Sequence, residues 1–361
     1  MDFKKTINLK QNDVIGLDIG SSAVKIIVLN KDSEGYKIKA AGIAEIAADS
    51  ENNSNYSRET YSRNNTNIVN AIRDCCTAAG LKIKTKQNTN LAVCGVNGPE
   101  VAVRDFAFPT LPDEEIESAI TLEAEVVCPF NAGQAAIDYQ LMSNSDGKTK
   151  GIFVAATNNL IANQTQYAKE AGLKCVLMDV DGLAMLNCFN GLADSRDKQA
   201  SAILNVGASC TTLAILNKEG WPFIRDTSCA GEDIISQIIN DVNISRYELF
   251  SILFNDSKEM ADEIKNSMEK ASEQLITGVS EALRFYAAQE KSVPVQKIFV
   301  CGGFASASGF ISLLNCRFGA EVVLWNPFGN IRCEASQECR DILNKTGHSM
   351  VVAAGLAMRT V

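Results

Sequence analysis

The chain has 361 residues, a formal net charge of −9, 12 cysteines and a single histidine. That length holds about two domains, while the acidic balance excludes a nucleic-acid or anionic-membrane surface and the lone imidazole leaves little for a zinc site. The cysteines sit among Val, Leu and Ala with no C-x-x-C spacing, the amino terminus lacks a secretion-signal core, and no segment approaches a membrane span, so reduced thiols in a cytoplasmic protein are expected.

Strands are expected over Val14 to Ile19, Ala23 to Leu29 and Tyr36 to Ile46, separated by turn residues. Residues 49–66 carry almost no aliphatic side chains and are expected as a mobile loop. Ile68, Val69, Ala71, Ile72, Cys75, Cys76 and Ala79 then follow helical spacing up to a glycine stop at Gly80, and Asn90 to Gly95 follows as a strand. Past Gly98-Pro99 the pattern changes: Val101 to Phe108 alternates as a strand, and Pro112-Asp113-Glu114-Glu115 opens a helix whose acidic first turn complements its dipole. Strands at Ala136 to Met142 and Gly151 to Thr157 bracket the turn Ser145-Asp146-Gly147, and Asn159 to Ala171 has helical spacing. This stretch is expected to form a small α+β insert.

Lys174 to Val180 returns as a strand, Gly182 to Asn190 as a helix, and Asp194 to Lys198 as a charged linker. Trp221 to Asp226 is a strand, Gly231-Glu232-Asp233 opens a helix, and residues 233–291 are almost entirely helical in pattern. Lys297 to Cys301 is a strand ending in Gly302-Gly303, and an apolar helix, Met350 to Met358, closes the fold. His348 stands at the start of that helix, a capping or surface position rather than a member of a Ser-His-Asp device.

One pattern occurs twice. Residues 16–29, Gly-Leu-Asp-Ile-Gly-Ser-Ser-Ala-Val-Lys-Ile-Ile-Val-Leu, return at 203–216 as Ile-Leu-Asn-Val-Gly-Ala-Ser-Cys-Thr-Thr-Leu-Ala-Ile-Leu. Each copy is strand, tight turn, strand. Glycine lets turn N–H groups approach an anion closely, and a carboxylate just before it can hold a hydrated magnesium beside phosphates. Two such hairpins facing each other would clasp a triphosphate.

These residues resemble the actin-like ATPase superfamily and, within it, the PilM branch of type IV pilus assembly proteins, related to the cell-division protein FtsA. The resemblance covers nearly the whole chain. It rests on the first hairpin, on Arg104-Asp105-Phe106-Ala107-Phe108-Pro109, on Leu122-Glu123-Ala124-Glu125 through Pro129-Phe130, and on Ile137-Asp138-Tyr139-Gln140. Ala171-Gly172-Leu173, Met178-Asp179-Val180, Cys301-Gly302-Gly303, Trp325-Asn326-Pro327-Phe328 and Ala353 to Arg359 complete it.

The resemblance implies a bilobed, ribonuclease H-like α/β fold of two duplicated mixed-sheet lobes clasping ATP and Mg2+. It places subdomain 1A at 1–100 with 171–195 and 340–361, the 1C insert at 101–170, subdomain 2A at 196–235 and 294–339, and 2B at 236–293. By position, Asp18 orients magnesium, Gly20, Ser21, Ser22 and Lys25 meet the phosphates, and Asn205, Gly207, Ala208 and Ser209 close from the other lobe. Gly231 and Glu232 approach the nucleotide, Gly302, Gly303 and Phe304 flank the adenosine, and Asp181, or less favourably Asp179, positions water.

The departure is Asn205, where relatives carry aspartate: a neutral amide binds a hard cation more weakly and cannot help deprotonate water. Binding with slow or absent hydrolysis is therefore expected. The implied role is a cytoplasmic adaptor, peripheral to the inner membrane, that holds the N-terminal peptide of a PilN-like membrane protein in a groove beside the insert. It has no nucleic-acid partner, no membrane insertion of its own, and room for a homo-oligomer. The alternatives are an FtsA-like cytoskeletal ATPase, a small-molecule kinase of the same superfamily, and a scaffold that has lost nucleotide.

Overall fold

The computed structural model describes residues 14–47, 58–81, 90–142, 147–193, 201–217, 220–255, 260–289 and 292–359. In the first lobe β1 (Ile15–Ile19), β2 (Ala23–Asp32) and β3 (Gly35–Glu45) form an antiparallel meander, followed by α1 (Arg58–Ala78) and β4 (Asn90–Val96). Helix α1 begins at Arg58, so the loop expected over 49–66 is helical in its second half, and the rest of it lies outside the described residues. The polar stretch propagates from an amphipathic half whose Val69, Ile72 and Cys76 are buried, because tertiary packing rather than propensity sustains most protein helices. The glycine stop falls where expected: Gly80 has φ +69°.

The insert follows as β5 (Val101–Pro109), α2 (Asp113–Val127), β6 (Ala135–Met142) and β7 (Lys148–Thr157), paired in the order β5-β7-β6 over a small core of Phe106, Ile116, Ile120 and Phe153. The chain returns through α3 (Asn158–Glu170), β8 (Leu173–Val180) and α4 (Asp181–Leu192). The second lobe comprises β9 (Ser201–Val206), β10 (Thr211–Leu216), β11 (Pro222–Thr227), α5 (Gly231–Val242), α6 (Arg246–Phe254), α7 (Asp262–Ala287), β12 (Lys297–Cys301), α8 (Phe310–Arg317) and β13 (Glu321–Leu324). Finally β14 (Arg332–Cys333), α9 (Gln337–Thr346) and α10 (Val351–Ala357) cross back to the first lobe. The expected turn residues Ser145 and Asp146 and the linker 194–198 lie outside the described residues.

The two large sheets have one topology. The first runs β14-β3-β2-β1-β4-β8 and the second β11-β10-β9-β12-β13; in each, the hairpin strand has an antiparallel neighbour on one side and a parallel one on the other. Removing the two-residue β14 leaves the same five-strand order twice.

Between the sheets lies a core shared by both lobes. Helices α4 and α10 cross there so closely that a Cβ at Gly355 would overlap the Ala184 carbonyl oxygen. Phe189 of α4 packs its ring 5.1 Å from Phe299 of β12 and 5.3 Å from Trp325, joining the lobes through aromatic contact.

Candidate functional site: the cleft between the hairpins

Both hairpins close in the same way. Gly20 donates its N–H to the Ala23 carbonyl at 3.1 Å, and Gly207 donates to Cys210 at 3.0 Å. A Cβ at Gly20 would stand 3.0 Å from the Ala23 oxygen and from Lys25 Nζ, and one at Gly207 would stand 2.8 Å from the Cys210 oxygen, so neither turn has room for a side chain. The tips touch: Ser209 Oγ donates to Ser21 Oγ at 2.9 Å.

Around them is a cleft of about 340 Å³, within the usual range for small-molecule sites. The first lobe contributes Asp18, Gly20, Ser21, Ser22, Lys25 and Asp181; the second contributes Asn205, Gly207, Ala208, Ser209, Gly302 and Gly303. On the side of α1 and α3 the cleft continues into an apolar recess of Ile43, Ile68, Leu160 and Tyr167, where the buried Gln164 Oε1 has no hydrogen-bond partner among the described residues. No sequence signal marks that recess, because its residues come from three distant elements.

Gly231, Glu232 and Phe304 are not among the lining residues; they stand behind the second hairpin. Gly231 N–H donates to the Gly207 carbonyl at 3.0 Å and Glu232 N–H to that of Ala208 at 2.8 Å, so the start of α5 braces the turn. The Glu232 carboxylate receives both guanidinium ends of Arg246 at 2.6 Å, which holds its pKa low. Phe304 is buried against Gly231 in the second-lobe core.

The charges in the cleft come in distinct environments. Lys25 is the cross-strand neighbour of Asp18, and its Nζ lies 3.2 Å from Asp18 Oδ2. Asp181, the first residue of α4, is fully buried; burial, and then the charge of Asp18, push its pKa well above the usual carboxylate range. Its Oδ2 accepts from Asn97 Nδ2, and its Oδ1 has no partner among the described residues. Asp179 points elsewhere, with Arg359 Nε 3.2 Å from its Oδ2. Asn205 Oδ1 is 3.9 Å from the Cys301 thiol and faces Gly302, which adopts φ +96° where a Cβ would come within 2.5 Å of that oxygen.

Asp226 on β11 was not singled out in the sequence. It accepts from the Thr212 hydroxyl at 2.6 Å and from Gly98 N–H at 3.3 Å, and burial raises its pKa.

The donor set fits a phosphate chain: hydroxyls and turn N–H groups from both lobes, plus Lys25. Among the described residues no group of three or more His, Cys, Asp or Glu side chains is placed to hold a metal by itself. With Asp18 as the forward carboxylate, a hard cation here needs phosphate and water oxygens to fill its shell.

A second groove, of about 500 Å³, runs where the insert meets both lobes: Tyr139, Gln140 and Val154 share its lining with Met178, Leu183 and Leu186 and with Leu216 and Pro222 of the second lobe, and Asp179 and Arg359 supply its charges. Among the described residues no helix is long and apolar enough to cross a membrane.

Two sheets of one topology, hinged on a shared core and joined at paired glycine hairpins, define the actin-like fold. The chain belongs to the type IV pilus assembly protein PilM family, whose pattern it matches over residues 16–361. Among solved structures it is similar to a chain of a "PilM-PilN type IV pilus biogenesis complex", at TM-score 0.75 and 20% identity over 97% of this chain and 99% of that one. It is also similar to the ethanolamine utilization protein EutJ from Carboxydothermus hydrogenoformans, at TM-score 0.52 and 15% identity over 97% of this chain and 90% of that one. A diol dehydratase-reactivating factor in nucleotide-free form matches at TM-score 0.54 and 11% identity, over 96% and 99% of the two chains. Identities this low establish the shared fold.

Proposed function

We propose that the chain is a cytoplasmic nucleotide-binding adaptor of a type IV pilus assembly complex, holding Mg-ATP between its two hairpins and the N-terminal tail of a PilN-like inner-membrane protein in the groove beside the insert. The observation that carries the first half is the Ser21–Ser209 contact, which brings two independently closed glycine turns to one place. A bound Mg-ATP would supply the anionic oxygens and the terminal phosphoanhydride open to hydrolysis.

This chain's own residues then do four things. With the Gly20 and Gly207 N–H groups closing the turns, Ser21, Ser22, Ala208 and Ser209 present N–H and hydroxyl donors to phosphate oxygens. Lys25 exchanges its partner Asp18 for phosphate, which frees Asp18 to orient a hydrated cation. Gly303, with open space where a Cβ would stand, leaves bare backbone for the adenosine, while Gly302 packs tightly against Val206 and Asn205. Burial raises the Asp181 pKa and leaves it without a clear path to act as a base on water, and Asn205 adds no second carboxylate, so binding outlasts turnover.

The partner half is supported by membership of the PilM family and by the mixed character of the groove, in which apolar walls of Val154, Met178 and Leu183 border amides and a charged edge. Such a lining takes an extended peptide with alternating apolar and polar side chains. Titrating Mg-ATP into wild type and into the Asp18→Ala/Lys25→Ala double variant tests the cleft. Binding lost in the variant supports the reading, whereas equal affinity removes the clamp.

A further inference from the structure

The junction between β4 and the insert is held by one carboxylate from each lobe. Asn97 gives its amide to Asp181 Oδ2 at the floor of the cleft, and the next residue, Gly98, gives its main-chain N–H to Asp226 Oδ2 on β11 of the second lobe. Gly98 has φ +91°, a left-handed conformation that glycine adopts without strain, and its carbonyl accepts from Val101 N–H at 3.0 Å, which starts β5. Asp226 is anchored in turn by the Thr212 hydroxyl, and Thr212 is the cross-strand neighbour of Asn205 on the second hairpin. Thr212 occupies in the second hairpin the place Lys25 occupies in the first.

We propose that Asn97 and Gly98 are a relay: the two-residue root of the insert is gripped by Asp181 and Asp226, so that a change in lobe spacing at the cleft re-aims the insert and the groove it borders. The relay rests on the nucleotide-cleft reading for its input, and on the groove for its output.

The physical basis is bond geometry. Asp226 is on β11 of the second sheet and Asp181 directly follows β8 of the first, and their partners are consecutive residues. A relative shift of the lobes of an ångström or so lengthens a hydrogen bond beyond its range unless Gly98 rotates to follow. Rotation at Gly98 turns β5, whose register with β7 is continuous from Val101 to Pro109, so the insert sheet turns as a unit. Strand β6 is the far edge of that sheet and carries Tyr139 and Gln140 into the groove. Asp226 is thus a positioning residue: it lines neither the cleft nor the groove.

Amide exchange followed by mass spectrometry on the full chain tests this, with Mg-ATP as the probe and Asp226→Ala and Asp226→Asn as variants. Without nucleotide, Asp226→Ala is expected to speed exchange across residues 97–104 by about tenfold, the loss of a hydrogen bond to a charged acceptor. Asp226→Asn keeps an acceptor oxygen and is expected to leave that segment near wild type. Unchanged exchange there in Asp226→Ala overturns the latch whatever the cleft binds. With Mg-ATP, wild type and Asp226→Asn are expected to gain protection at both hairpins and to change exchange in 97–104 and 135–142, while Asp226→Ala keeps the hairpin protection and loses the distant response. A distant response that persists in Asp226→Ala overturns the relay; absent hairpin protection in wild type instead overturns the nucleotide reading, and the relay with it.

Discussion

Lys25 and Asp18 face each other across the β1–β2 ladder, with the ammonium 3.2 Å from the carboxylate and both side chains largely buried. The pair holds a cation and an anion in contact within the lining of the cleft. Lys25→Met leaves the Asp18 charge uncompensated and removes the one lysine that lines the cleft among the described residues. Mg-ATP affinity measured calorimetrically is expected to fall about 10- to 100-fold, the worth of one or two charge-assisted hydrogen bonds. Unaltered affinity would place the phosphates elsewhere.

Asn205 stands one residue before Val206 and Gly207, as Asp18 stands before Ile19 and Gly20, yet it is neutral. Asn205→Asp restores a carboxylate on the second lobe, and the rate of phosphate release from Mg-ATP is expected to rise by about 10²-fold, the scale of one preorganised electrostatic partner. A rate that stays at the wild-type level would assign slow turnover to some other feature.

Asp181 sets a pH dependence. Its folded-state pKa lies above the unfolded value of about 3.9, so the stability linked to it is full below that pH and is lost as pH rises through the folded pKa. Asp18, Asp226, Lys25 and Asn97 are the groups that face it, and the raised pKa values of Asp179 and Asp226 act with the same sign. Urea midpoints of wild type and Asp181→Asn should converge near pH 4 and diverge toward about pH 8, with the variant more stable at the alkaline end. A gap that is constant with pH would mean that folding does not raise the Asp181 pKa.

The crossing of α4 and α10 sets the lobes' common axis, and Gly355 has no room for a methyl group against the Ala184 carbonyl. Gly355→Ala is expected to cost about 3 kcal/mol, since the obstacle is backbone and cannot turn aside. A thermal melt settles it: an unchanged midpoint would mean the helices slide apart freely.

The paired hairpins were legible in the sequence because two strong local signals coincide there, apolar alternation and a glycine at a closed turn. The insert was legible for the same reason, through Pro112 at its helix start and the regular alternation of β5. Gly231, Glu232 and Phe304 were expected beside the nucleotide; they do not line the cleft and pack behind the second hairpin, because a Gly-Glu-Asp run marks a helix start without saying which surface that helix faces. Asp226 and Asn97 gave no signal at all. Their partners lie 14 and 84 residues away, and such hydrogen bonds leave no periodicity. Strand β14 is two residues long, too short for any alternation, and the polar half of α1 is helical only because its apolar half is anchored.

On the proposed reading, two turns from opposite lobes grip one nucleotide. A crystal structure with a slowly hydrolysed Mg-ATP analogue tests it most directly. Phosphate oxygens are expected within hydrogen-bond distance of both Gly20 to Ser22 and Gly207 to Ser209, with the Ser21–Ser209 contact opened to admit them. Phosphates held by one turn alone, or a nucleotide seated outside the cleft, would contradict it.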